Sequence, residues 1–313
     1  MLAVNGVGCR RPSSGLAVSP AAVVSAGIVG RGGCCPGKVQ LDRIVVVVYA
    51  DVMQYPGGKS GGGVYQRIIS QMPPHEVYVE PFLGGGAVMR RKRPARWNYG
   101  IDLDADVVRR AADLDGRGEW ISARATPADS DDGGRPWFEF ESGDGIAWLQ
   151  AWKCWSRTLV YCDPPYPMST RSSQRRMYRC ELPDERHREL LGILVRLPAL
   201  VMVSGYSCEL YDHALSSWRV VKYRTMTRGG RMAAECLWCN FPEPVELHDY
   251  RYLGRDYRER ERIRRKEARW VARLLGMTVL ERRAVESALL TVRTRELASQ
   301  EAQGATISGP EVI

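Results

Sequence analysis

The chain has 313 residues, 44% hydrophobic and 26% charged, a mix that suits a folded globular protein and argues against wholesale disorder. Its 45 Lys+Arg against 36 Asp+Glu leave a net charge of +9, which favours a polyanionic partner. The most apolar run, Ile44 to Tyr49, is far short of the roughly 18 apolar residues of a membrane span, so no membrane partner and a cytoplasmic location are expected.

Residues 1–52 are rich in Gly, Ala, Val, Ser and Pro, carry no acid before Asp42 and show no sustained periodicity. They read as a disordered extension that the working protein can lose, with Met53 as an alternative start. From residue 64 the pattern alternates between helical and strand periods. An amphipathic helix carries Val64, Ile68, Ile69 and Met72 and stops at Pro73-Pro74. A short strand over Val77 to Val79 leads into Gly84-Gly85-Gly86 and the start of a helix at Ala87 to Met89. Strands follow at Trp97 to Asp102, Trp137 to Glu141 and Thr158 to Cys162, with helices over Ala105 to Leu114 and Gly145 to Trp152 between them. Asp184 is expected to cap a helix whose apolar face is Leu190, Leu191, Leu194 and Leu197, stopped by Pro198. A strand over Leu200 to Ser204 and a helix over Glu209 to Leu215 come next. Strands at Arg219 to Met226 and Ala234 to Phe241 flank Gly229-Gly230 as a hairpin would. The alternation predicts a doubly wound, mostly parallel α/β sheet with an antiparallel edge hairpin, residues 53–242 forming one domain. Residues 243–300 read as a basic helical extension and 301–313 as a disordered end. Between 249 and 275 there are ten Arg+Lys against five Asp+Glu, a pattern equally suited to a solvated face and to phosphate contact.

Nine cysteines are an odd count, in a chain too long for a small disulfide scaffold, and read as reduced buried thiols. Cys236 and Cys239 form a lone CxxC, which the strand period splits between opposite faces. No second pair completes a zinc set, and no metal is expected.

Four features fall at strand ends, where an open α/β sheet places its ligand. Glu80-Pro81-Phe82-Leu83-Gly84-Gly85-Gly86 is a glycine turn that lets backbone approach a ligand, although it is not a GxGxxG pyrophosphate fingerprint. Asp102 in GIDLDAD suits ribose hydroxyls or a helix cap, and Asp144 in GDG suits an adenine amino group or a cap. Asp163-Pro164-Pro165-Tyr166 follows an apolar strand. Its prolines lock the backbone, so that the Asp163 carboxylate and the Pro164 carbonyl form two fixed acceptors beside the Tyr166 ring. Two acceptors and an aromatic face suit a planar ring bearing an exocyclic amine.

YPGGK (Tyr55 to Lys59), VEPFLGGGAV, GIDLD and DPPY, in this order, resemble the Dam-like, alpha-arranged DNA adenine methyltransferases, and YRCELPDERHREL, VMVSGYSCELY and AECLWCN resemble small phage and prophage members. The resemblance runs from about Met53 to Phe241. It implies a Rossmann-like fold, S-adenosylmethionine as cofactor and methylation of the 6-amino group of adenine in DNA. Carried onto this sequence, it places Tyr55, Lys59, Glu80, Pro81, Phe82, Gly84, Gly86, Asp102 and Asp144 around the methyl donor. Asp163, Pro164, Pro165 and Tyr166 would hold a base flipped out of double-stranded DNA, with Tyr166 stacking on it. A monomer is expected, with a cognate restriction nuclease as a further candidate partner. The alternatives are a methyltransferase acting on RNA or a protein amide, against which Asp163 stands where an Asn is more usual, and a catalytically silent DNA-binding prophage protein.

Only 60 residues lie between Asp102 and Asp163, little room for the recognition domain that larger relatives insert there. The loop from Pro167 to Cys180, with Arg171, Arg175, Arg176, Arg179 and no acid, is the candidate DNA contact. Arg90, Arg91, Lys92, Arg93 and Arg96 form a second basic cluster, equally readable as a solvated helix end.

Overall fold

The computed structural model describes residues 58–61, 63–116, 136–154, 157–170, 178–226 and 232–307. Seven strands form one sheet: β1 Val77–Glu80, β2 Trp97–Asp102, β3 Trp137–Ser142, β4 Thr158–Cys162, β5 Leu200–Gly205, β6 Arg219–Met226 and β7 Met232–Cys239. Their spatial order is β3-β2-β1-β4-β5-β7-β6. The first five strands are mutually parallel, and β7 runs antiparallel to both β5 and β6. This is the doubly wound, mostly parallel sheet with an antiparallel edge hairpin that the alternation predicts; the residues around Gly229-Gly230 at the hairpin tip lie outside the described residues.

Helices are α1 Val64–Ile69, α2 Ala105–Gly116, α3 Gly145–Ala151, α4 Asp184–Arg196, α5 Glu209–Ala214, α6 Tyr257–Leu275 and α7 Val279–Ile307. The period-two alternation of the strands feeds two cores. Tyr78, Leu159 and Tyr161 pack with Ile68, Ile69 and Met72 of the α1 segment and Val107 and Ala111 of α2. Val77, Val79, Val160 and Cys162 pack on the other face with Ile146 of α3, Leu190 and Leu194 of α4, and Tyr211 of α5. Cys236 belongs to this second core and Cys239 to the first, as the strand period requires.

Several expectations are corrected. No helix follows the glycine loop: residues 84–92 form turns, because Arg90 N–H to Gly86 O and Lys92 N–H to Val88 O close one turn and Pro94 leaves no room for another. Asp184 is the first residue of α4 rather than its cap; Pro183 occupies the cap position and no side chain caps there. Strand β7 begins and ends two residues early. Asn240 turns aside, its amide group accepting from Val201 N–H and donating to Ala199 O. The basic cluster is not a solvated helix end. Lys92 is fully buried and donates to Arg93 O at 2.9 Å, and Arg91 lies over the Tyr65 ring.

After β7 the chain first docks on the body. His248 N–H donates to Met72 O, the Asp249 carboxylate accepts from Arg93 N–H, and the His248 and His75 rings stack with centroids 3.8 Å apart. Only then do α6 and α7 begin. Asp256 caps α6 through Glu259 N–H, and Thr278 and Glu281 cap α7 reciprocally. Helix α7 runs to Ile307, through residues expected to form an unstructured end. No helix among the described residues is long and apolar enough to cross a membrane.

Candidate active site

Chain direction across the sheet reverses between β1 and β4: β2 and β3 lie to one side, β5 to the other. Such a switch point opens a crevice at the carboxyl ends of the strands. A cleft of about 400 Å³ sits there, bordered by the loops that follow β1 through β4 and by the segment entering α4.

The glycine loop after β1 supplies part of its border. Gly84 and Gly86 have φ of 49° and 58°, the left-handed region that glycine enters without strain. Asp102, ending β2, braces this loop: one carboxylate oxygen accepts Gly84 N–H at 2.8 Å, and the other accepts Asp104 N–H at 2.8 Å. Burial pushes the Asp102 carboxyl up, while those two amides pull it down. Leu103 beside it borders the cleft and is 60% exposed. Asp144 caps α3 through Ile146 N–H and pairs with Arg186 of α4. Gly145 is required by close approach, since a Cβ there would lie 1.9 Å from Pro81 O. Glu80 is buried and accepts from the Tyr78 hydroxyl at 2.6 Å. Burial pushes its carboxyl up to about 8, against the pull of Tyr78, the Met89 amide and Lys92.

At the β4 end stands a charged cluster. Lys59 Nζ lies 2.8 Å from Asp163 Oδ1 and 3.5 Å from Glu235 Oε2, and it also contacts the Tyr166 hydroxyl. Burial pushes the Asp163 carboxyl up to about 6; Lys59 pulls it down, Glu235 pushes it up, and the Tyr166 hydroxyl pulls it down. Burial alone would lower the Lys59 ammonium, but Asp163 and Glu235 outweigh it and hold it well above its ordinary value. The pair therefore keeps a positive charge beside a carboxylate that titrates close to neutrality. That carboxylate can accept a hydrogen bond, and then a proton, from an amine brought to the cleft.

Of the candidate residues, Lys59, Glu80, Pro81, Phe82, Gly84, Asp102, Asp144, Asp163 and Pro165 border this one cleft. Gly86, Pro164 and Tyr166 do not border it. Tyr166 is 6% exposed, edge-on to Tyr206 with centroids 4.7 Å apart, so the open stacking face expected of it is instead packed. Tyr55, Arg171, Arg175 and Arg176 lie outside the described residues. The Arg179 guanidinium pairs with Asp104 at 2.9 Å and Asp106 at 3.0 Å, tying the loop after β4 to the start of α2.

Sequence reasoning passed over Glu235, Leu103, Tyr178 and Arg186. Glu235 had a signal, because the strand period puts it on one face with Leu237 and Cys239, a lone acid on an apolar face. The other three reach the cleft through tertiary packing that no local pattern encodes.

No protein-family model and no curated protein matches the chain. Among solved structures, the N-methyltransferase NodS from Bradyrhizobium japonicum is similar at 12% identity with a TM-score of 0.38, over 57% of this chain and 93% of that one. The precorrin 8w decarboxylase of Methanobacterium thermoautotrophicum is similar at 14% identity with a TM-score of 0.36, over 60% and 94%. Magnesium protoporphyrin IX methyltransferase from Synechocystis, solved with bound S-adenosylmethionine, is similar at 11% identity with a TM-score of 0.35, over 56% and 75%. Overlaps this slight say nothing of this chain's substrate.

Proposed function

We propose that the chain transfers a methyl group from S-adenosylmethionine to the exocyclic 6-amino group of adenine in DNA. The observation that carries this reading is that one cleft is bordered both by the glycine loop with Asp102 and by Asp163 with Pro165. A donor site and an acceptor site thus share a single space. The strand order, with β7 alone reversed, agrees with the fold that the sequence resemblance implies.

The cleft's residues fit the cofactor. Gly84 and Gly85 let a ligand approach the backbone, Asp102 offers carboxylate oxygens to hydroxyls, and Leu103 and Phe82 offer apolar contact to a purine. Bound there, S-adenosylmethionine would supply an electrophilic methyl group. Asp163 and the Pro164 carbonyl would accept the two hydrogens of the adenine amine, leaving its lone pair less drawn into the ring. Lys59 holds Asp163 ionised despite its burial. After transfer the Asp163 carboxylate is placed to take the proton that the methylated amine sheds, and its raised pKa makes it a better acceptor than an ordinary aspartate.

The test is transfer of labelled methyl to duplex DNA containing adenine, beside a duplex whose adenines are already 6-methylated, an RNA and a protein mixture. Labelling of the first alone supports the reading. Labelling of RNA or protein in preference, or of none, overturns it.

A further inference from the structure

A second cleft lies at the opposite edge of the sheet from β3, where edge strand β6 meets α1 and the start of α6. Its volume is about 440 Å³. Five cationic residues border it: Arg67 from α1, Lys222 and Arg224 from β6, and Arg255 and Arg260 from the α6 entry. The one acid on its border, Asp256, is already engaged in capping α6 through Glu259 N–H at 2.8 Å. Arg255 pairs with Glu259. Among the described residues, no carboxylate forms an ion pair with Arg67, Lys222, Arg224 or Arg260. Cations concentrated without acids raise the local potential and cost stability through mutual repulsion, unless an anion completes them.

The cleft is physically joined to the charged centre of the active site. Tyr223 borders it, and its hydroxyl donates to Glu235 Oε2 at 3.0 Å. The same carboxylate oxygen lies 3.5 Å from Lys59 Nζ, which pairs with Asp163. One tyrosine thus separates the basic cleft from the proposed acceptor end. Tyr257, 70% exposed, stands at its border as an aromatic surface.

We propose that this cleft holds the sugar–phosphate backbone of the nucleic acid whose base enters the active site. The inference rests on the proposed function and adds where the strand runs. Cations drawn from three separate elements suit successive phosphates of a polymer better than one free phosphate ion, and they read charge without sequence. The surface therefore supplies affinity and register, leaving choice of base to groups nearer Asp163. It also gives the basic entry to α6 a role in substrate binding.

The test compares the full chain with Arg67→Gln/Lys222→Gln/Arg224→Gln and with Arg67→Lys/Arg224→Lys, measuring affinity for a labelled DNA duplex across a salt series. Donor binding, followed separately by calorimetry, reports that each variant is folded. The glutamine variant should lose affinity by tenfold or more at low salt, and its log–log salt slope should flatten by about 0.9 for each phosphate that is no longer neutralised. The lysine variant should keep the slope, and inorganic phosphate should compete only weakly. Unchanged affinity and slope in a glutamine variant that still binds donor would overturn the proposal, as would potent competition by inorganic phosphate or failure of the full chain to bind duplex. A duplex bound with the expected slopes, yet never methylated at adenine, would uphold the cleft and overturn the proposed reaction.

Discussion

Lys59 Nζ lies 2.8 Å from Asp163 Oδ1, joining a residue ahead of the first helix to the motif that ends β4. This ion pair sets the charge at the β4 end of the cleft. Burial would favour the neutral acid, and Lys59 opposes it, leaving Asp163 titrating at about 6.

The acid limb of the pH–rate profile follows from that value. Asp163 must be ionised to accept the amine hydrogens, so methyl transfer should fall as pH drops through about 6. Lys59→Met removes the group that lowers the Asp163 pKa, so the limb should move to higher pH and activity near neutrality should fall tenfold or more. Lys59→Arg should restore part of the shift. An unmoved limb in Lys59→Met would separate the pair from catalysis.

Asp102 is predicted to act through the loop it braces. Asp102→Ala strips the acceptor from Gly84 N–H and Asp104 N–H, both bonded at 2.8 Å. A hydrogen bond to a charged group is worth about 1.5–3 kcal/mol, so loss of bracing equivalent to one such bond should weaken donor affinity roughly tenfold to a hundredfold. Calorimetric titration with S-adenosylmethionine measures this. Unaltered affinity would remove Asp102 from the donor site.

Gly145→Ala places a methyl group 1.9 Å from the Pro81 carbonyl oxygen, and neither backbone can yield easily. Overpacking of this kind costs about 1–3 kcal/mol. Thermal unfolding should shift down by several degrees, with loss of donor binding because Pro81 and Gly145 both border the cleft. An unchanged melting temperature would show that α3 can slide away from the β1 loop.

Much of this arrangement is legible in the chain itself. Strands β2 and β4 are short runs closed by Asp102 and by Asp163-Pro164, and the doubly wound rule brings their carboxyl ends together, so Asp102 and Asp163 meet at one cleft. The Lys59–Asp163 pair is not legible, because no period links residues so distant in sequence. Arg179 shows the same limit: its loop has no acid of its own, yet Asp104 and Asp106 pair with it from the start of α2. Local charge counts miss partners supplied by another element.

Acid should also weaken the buried histidine contact where the chain after β7 docks on the body. Burial lowers the His75 imidazole well below its ordinary value, helped by His248 and Lys92, and lowers His248 to about 3. In the unfolded chain both titrate near 6.5, so below that pH the unfolded state binds protons that the folded state refuses. Their contribution is complete above about 6.5 and is lost progressively as pH falls towards 3. Glu80 and Asp163, whose carboxyls burial raises to about 8 and about 6, contribute the opposite pH dependence, so the histidine contribution is read by comparison. Between pH 7 and pH 5 the urea midpoint of His248→Phe should change in the stabilising direction relative to that of the unsubstituted protein. The same pH dependence in His248→Phe and the unsubstituted protein would contradict the buried neutral pair.

The proposed reaction is tested most directly by Asp163→Ala, followed by methyl transfer to an adenine-containing duplex and by donor binding on the same preparation. A preorganised charged acceptor is worth roughly 2.7–4 kcal/mol in the transition state, so transfer should fall on the order of a hundred- to a thousandfold while donor affinity stays nearly intact. Asp163→Asn, which keeps shape and one acceptor oxygen, should fall between the two. Undiminished transfer to adenine in Asp163→Ala would contradict the assignment of this carboxylate to the chemistry.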